Sequence, residues 1–142
     1  MVDVSGKTAT ARTATARATV RTTADVIAMI ASGGLPKGDA LATARIAGIL
    51  AAKRTSELIP LCHQIALSSV DVDFTITGNA VELITSAHTT DRTGVEMEAL
   101  TAATVAALTV YDMIKAVDPA ARIDDVRVIR KEGGKSGVWT SA

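Results

Sequence analysis

From Val95 to Asp118 the chain runs for 24 residues without a glycine or a proline. Within that stretch Met97, Leu100, Thr104, Ala107/Leu108, Tyr111 and Ile114 recur at steps of three and four. The spacing predicts an amphipathic helix over 93–115, long enough to organise the rest of the fold. Its other face carries Glu96 and Glu98 at the start and Asp112 and Lys115 at the end, with almost no charge between. Glutamates in a first turn and a lysine in a last turn suit the helix dipole, whereas Asp112 near the C-terminal end does not. Asp112 and Lys115 form an i, i+3 pair, so a plain surface ion pair and a functional pair both remain open. Glu98 and Asp112 point roughly the same way, but a rise of ~1.5 Å per residue separates them by roughly 21 Å. Either two sites exist or a neighbouring subunit completes one.

The core available to pack against this helix is thin. Of 142 residues, 48% are hydrophobic, but 26 are alanine and only three are aromatic, so each buried position contributes little area. One domain spanning 1–142 is expected, with part of its stability supplied by subunit contacts. Net charge is zero and no basic block is interleaved with aromatics, which argues against a nucleic-acid partner. The single cysteine, Cys62, rules out an internal disulfide framework and suits a reducing compartment. The N-terminal residues lack a signal pattern, and Ala99–Val110 is too short and threonine-rich to span a bilayer. The expectation is a soluble cytoplasmic protein with no membrane partner.

Residues 8–12 and 13–17 repeat Thr-Ala-Thr-Ala-Arg. This low complexity reads as a mobile arm over 1–17, on which Arg12, Arg17 and Arg21 either solubilise the chain or reach an anion. Thr19–Thr22 alternates as a short strand, and Asp25–Ala31 reads as a helix stopped by Gly33-Gly34 and Pro36. Asp39 is a suitable N-cap for a helix from Ala40 to about Glu57, placing Lys37 in the turn before a helix N-terminus that attracts anions. Leu67–Ile76 alternates as a strand, Gly78-Asn79 turns it, and Val81–Ala87 returns. His88–Gly94 reads as a polar loop, Ile123–Lys131 as a last strand, and 133–142 as a flexible tail. The fold class is α+β. The order predicts a split β-α-β-β-α-β arrangement with an extra N-terminal helix and an antiparallel sheet with helices on one face. The other sheet face needs a cover, and a second subunit is the simplest one.

Few residues offer chemistry. Cys62 and His63, with His88, are too few for a structural zinc site, so no metal is expected. A buried thiol beside a hydrogen-bonding imidazole and an acid/base His63 are the two readings of that pair. Gly133-Gly134-Lys135-Ser136-Gly137 contains Gly-Lys-Ser but lacks the first glycine and the following helix of a phosphate-binding P-loop. It reads as a basic loop able to wrap phosphate oxygens.

Five stretches, in order, carry a specific resemblance. They are Met1-Val-Asp-Val-Ser5, Lys37-Gly-Asp-Ala-Leu-Ala-Thr-Ala-Arg-Ile-Ala-Gly48, Leu58-Ile-Pro-Leu-Cys-His63, Thr93-Gly-Val-Glu-Met-Glu-Ala-Leu100 with Tyr111-Asp-Met-Ile-Lys115, and Lys131-Glu-Gly-Gly-Lys-Ser-Gly137. Together they resemble the molybdenum cofactor biosynthesis protein C family, the cyclic pyranopterin monophosphate synthases. The resemblance implies a ferredoxin-like fold and a homohexamer built as a trimer of dimers with sites between subunits. It implies a lyase that converts a small-molecule substrate, (8S)-3′,8-cyclo-7,8-dihydroguanosine 5′-triphosphate, into cyclic pyranopterin monophosphate with release of pyrophosphate. It places catalytic roles on Asp112 and Lys115 and, at further functional positions, on Lys37 and His63. Substrate contacts fall on Leu61, Cys62, His63, Glu96, Met97, Glu98, Lys131 and Lys135. It implies no cofactor, and divalent-cation help with the triphosphate is not indicated.

Two positions depart from the family pattern. Asp91 stands where glycine is usual, either weakening an anion site or being neutralised by Arg92, and Gln64 replaces the usual proline after His63. Two other classes compete. A zinc-dependent GTP cyclohydrolase would need more metal ligands than this chain has. A catalytically inert, oligomeric nucleotide- or pterin-binding paralogue would look alike in sequence, although a carboxylate such as Asp112 beside bound phosphate would be a liability for it.

Overall fold

The computed structural model describes all 142 residues. Five strands and four helices follow in the order β1 (Thr10–Arg21), α1 (Ala24–Ser32), α2 (Ala40–Lys53), α3 (Thr55–Leu58), β2 (Leu67–Ile76), β3 (Ala80–Asp91), α4 (Glu96–Ile114), β4 (Arg122–Glu132) and β5 (Val138–Thr140). The sheet is antiparallel throughout with strand order β2-β3-β1-β4-β5. This is the ferredoxin-like split β-α-β-β-α-β arrangement, with α1 and the edge strand β5 added.

The alanine content explains the centre. Along β1, Ala14, Ala16, Ala18 and Val20 alternate onto one face and are at most 1% exposed beneath α4. On β3, Val81, Leu83, Thr85 and Ala87 do the same. α4 answers with Ala99, Ala102, Ala103, Ala106, Ala107 and Val110, so the helix lies close to the sheet on small side chains. α4 is the one helix long and apolar enough to cross a membrane by length and composition, and half of that stretch is buried inside the molecule as its core helix.

Several sequence expectations change here. The Thr-Ala-Thr-Ala-Arg repeat is not a mobile arm, because residues 10–17 belong to the central strand, paired with β3 on one side and β4 on the other. Its alternation is the period-2 pattern of a strand with alanine as the buried residue. Since β1 begins at Thr10, β3 extends to Asp91 to pair with it, and His88–Asp91 is strand rather than loop. The second helix ends at Lys53. Thr55 Oγ1 then donates to Ala52 O at 2.9 Å, and a separate turn, α3, follows. The C-terminal residues are not simply a tail, since Val138–Thr140 pairs with β4.

The sheet face away from the helices is also not a bare apolar surface. Thr13 Oγ1 and His88 Nδ1 share a hydrogen bond of 3.0 Å, and Thr15 and Ser86 share one of 3.2 Å. Arg17 and Arg127 both reach Asp125 at 2.8 Å, and Arg21 reaches Asp124 at 2.8 Å. Arg17 and Arg21 are thus held by acids of the same chain. That face carries its own polar partners.

Candidate active site

The site begins with how α2 meets α4. A Cβ on Gly48 would lie 3.0 Å from Ala102 O, 3.2 Å from Ala106 Cβ and 3.3 Å from a Val72 methyl, so this glycine lets the two helices touch. They run antiparallel. The N-terminal end of α2 therefore meets the C-terminal end of α4, and the segment after α2 meets the start of α4.

At the first junction, Asp39 caps α2 by accepting the Ala42 N–H at 3.0 Å, and Lys37 projects from the turn before it. Lys37 Nζ donates to Asp112 Oδ2 at 2.7 Å, and Lys115 Nζ approaches Asp112 Oδ1 at 2.8 Å. All three side chains are about half exposed. Hydrogen bonds from Lys115 and then Lys37 lower the Asp112 carboxyl from an ordinary 3.8 to about 2. The same contact raises the Lys115 ammonium above its usual value. The helix dipole disfavours an acid at this end, and two cations outweigh it.

The second junction is a hollow of about 430 Å³, walled in part by Leu61, Cys62, His63, Glu96, Met97 and Glu98. Pro60–His63 turns tightly, with Cys62 N–H donating to Ile59 O at 3.1 Å. His63 Nε2 donates to Val2 O at 2.7 Å, which aims the ring and leaves Nδ1 toward other partners. This bond, rather than a proline at position 64, orients the imidazole. Val2, Val4 and Lys7 line the same hollow. The conspicuous Met1–Ser5 motif marked this segment, but nothing in its residue types announced a wall.

Glu98 is not on a solvent face. It is 3% exposed and its Oε2 is buried without a hydrogen-bond partner. Burial, opposed in part by its own backbone N–H, and then the nearby Glu96 charge push its carboxyl upward. Burial and the Glu98 charge likewise raise the Cys62 thiol, so the sulfur is kept as S–H and is a poor nucleophile. Glu96 pairs with Lys131 of β4 at 3.0 Å. Next to them, Gly133 (φ 101°) and Gly134 (φ 71°) lie against Ala11 O and the Arg12 guanidinium, where a Cβ would clash at 2.2 and 2.4 Å. Only glycine allows that approach. Lys135 sits exposed in the loop that follows. Asp91 accepts the Arg92 backbone N–H at 2.7 Å rather than forming an ion pair with its guanidinium.

The predicted residues therefore gather in two places. Leu61, Cys62, His63, Glu96, Met97 and Glu98 share one hollow, with Lys131 joined to it through Glu96. Lys37, Asp112 and Lys115 form the other, roughly 21 Å along α4 by helix rise. His88 belongs to neither, since it lies on the far sheet face with Thr13. No three His, Cys, Asp or Glu side chains are placed to hold a metal ion.

The MoaC family model matches residues 1–134. Over 140 residues the chain is 66% identical to a Mycobacterium tuberculosis protein named cyclic pyranopterin monophosphate synthase 2, covering 99% of this chain and 84% of that one. It is 61% identical over 140 residues to the cyclic pyranopterin monophosphate synthase of Streptomyces coelicolor, covering 99% and 82%. With the Novosphingobium aromaticivorans synthase it shares 54% over 142 residues, covering 100% and 90%.

Proposed function

The chain belongs to the MoaC family, and we propose that it carries out that family's step of molybdenum cofactor biosynthesis. It is a lyase. It converts (8S)-3′,8-cyclo-7,8-dihydroguanosine 5′-triphosphate to cyclic pyranopterin monophosphate and releases pyrophosphate. The observation that carries the reading is Asp112 held between Lys37 and Lys115. A triphosphate brings about four negative charges, and two ammonium groups beside a helix N-terminus suit it.

The chemistry follows from that arrangement. Free, Asp112 is ionised but a very weak base. Phosphate oxygens that compete for Lys37 and Lys115 strip away the two contacts that hold its pKa down, and the carboxylate becomes a better proton acceptor just where substrate is bound. Lys115, protonated beside Asp112 in the free site and beside phosphate once substrate is bound, is the matching proton donor. In the other cluster, His63 and the protonatable Glu98 face the purine as it is opened and reclosed into a pterin, with Leu61, Cys62, Met97 and Glu96 forming the walls. Lys131 and Lys135 take phosphate oxygens. No metal is assigned a part.

One substrate needs both clusters, so the working form is an oligomer in which each site takes its Lys37–Asp112–Lys115 cluster from one subunit and its His63–Glu98 hollow from a neighbour. A homohexamer built as a trimer of dimers satisfies this. Ile46 and Leu50, one turn apart on α2, and Leu108 on α4 stand exposed on the single chain, which supports burial between subunits. A free thiol and a nucleotide-derived substrate support a cytoplasmic location for the proposed reaction.

The test is incubation of purified protein with the cyclic dihydro-GTP, following pyrophosphate and pterin together. Equal amounts of both are expected. Tight binding with neither product would make the chain an inert binding protein.

A further inference from the structure

We propose that Trp139 is a substrate-binding residue, whose indole stacks on the purine and then on the pterin ring beside Lys131. This rests on the reaction proposed above. Trp139 is the only tryptophan and one of three aromatic residues. The other two are engaged within the chain: the Arg45 guanidinium lies 5.4 Å from the centre of the Phe74 ring, and Tyr111 Oη donates to Pro119 O at 3.0 Å. Trp139 is 45% exposed.

Its position is built rather than incidental. In the β4–β5 register Trp139 stands directly opposite Lys131, so the two side chains leave the same face of the sheet, a few ångströms apart. Lys131 in turn holds Glu96 at the start of α4. These three, with Val128, Ser136 and Val138, wall a second hollow of about 430 Å³. Glu96 is common to this hollow and to the His63–Glu98 one, which makes them adjoining compartments. The three-residue strand is pinned just past the tryptophan, where Ser141 N–H donates to Ile129 O at 2.9 Å and Arg127 Nη1 donates to Ser141 Oγ at 3.0 Å. A large π-face is thus fixed next to a phosphate-binding ammonium and open to a heterocycle, the pairing that base stacking with an anionic tail requires. Trp139 also lies beyond residues 1–134, where the family model matches.

The chain's one tryptophan makes the test direct. Substrate is expected to quench the intrinsic fluorescence saturably, in step with KM, whereas inorganic tripolyphosphate leaves it unchanged. Trp139→Leu is expected to raise KM roughly ten-fold, within the range for loss of one base–aromatic stack, with kcat held within about two-fold. Trp139→Phe is expected to recover most of the difference. Turnover without quenching, equal quenching by tripolyphosphate, or an unchanged KM in Trp139→Leu would overturn the stacking role and leave the reaction standing. Dissociation of the Trp139→Leu assembly would overturn it in favour of a subunit contact. Absence of turnover in the parent protein would instead remove the reaction, and this inference with it.

Discussion

Asp112 sits where a helix least favours an acid, and two ammonium groups keep it ionised there. Because its folded pKa is depressed, the ionised form is favoured by folding. The stabilisation is complete above the ordinary 3.8 and is lost as pH falls through about 2. The profile of kcat/KM, which reports groups of the free enzyme, should therefore show no acid limb from Asp112 above pH 3.8. Asp112→Asn and Lys115→Ala are each expected to lower turnover by roughly 10²–10⁴-fold while leaving the assembly mass unchanged. Turnover like the parent's in either variant would remove these residues from the chemistry. Glu98 has the opposite sign. Its folded pKa is raised, so the folded chain binds more protons above 4.5, and stability declines as pH rises through that window. Glu98→Gln should flatten that decline and gain about 1 kcal/mol at slightly alkaline pH, measured by urea unfolding at two pH values, while weakening substrate binding. A less stable glutamine variant at both pH values would mean that the buried oxygen has a partner.

At the level of elements, the α2–α4 contact positions both clusters. Gly48→Val drives side-chain carbon into Ala102 O and Ala106, and a lowered denaturant midpoint, equivalent to a loss of about 2 kcal/mol or more of unfolding free energy, is expected. An unchanged midpoint would show that the helices have room to spare. The N-terminal segment acts on the other cluster. Removing Met1–Val4 deletes the carbonyl that orients His63, so KM should rise with the fold retained. Much of this layer was legible from residues alone. The helix around 96–114, the 67–76 strand and the capped start of α2 all announce themselves by period and cap chemistry. β1 did not, because alanine supplies its buried face and Thr-Ala alternation resembles low complexity; only a partner strand on each side reveals it. The burial of Glu98 was hidden for a related reason. A glutamate in a first helical turn is ordinary on any surface, and its neighbour in space, Cys62, is 36 positions away in the chain. Lys37 with Asp112 was foreseeable only as separate family positions, since the 2.7 Å contact depends on two helices running antiparallel.

For the whole molecule, the proposed reaction asks two clusters at opposite ends of one helix to serve one substrate. A single chain holds them roughly 21 Å apart by helix rise, too far for one compact intrachain site. The proposed subunit sharing would resolve this and would also cover the exposed Leu61, Ile46, Leu50 and Leu108 on a chain with a thin alanine core. Mixing Asp112→Ala with His63→Ala subunits tests it most directly. Each variant alone is expected to be inactive. After subunit exchange, verified by mass, sites that draw Asp112 from one parent and His63 from the other should restore roughly a quarter of the full activity. No recovery in verified mixed assemblies would contradict a shared site and return both clusters to a single chain.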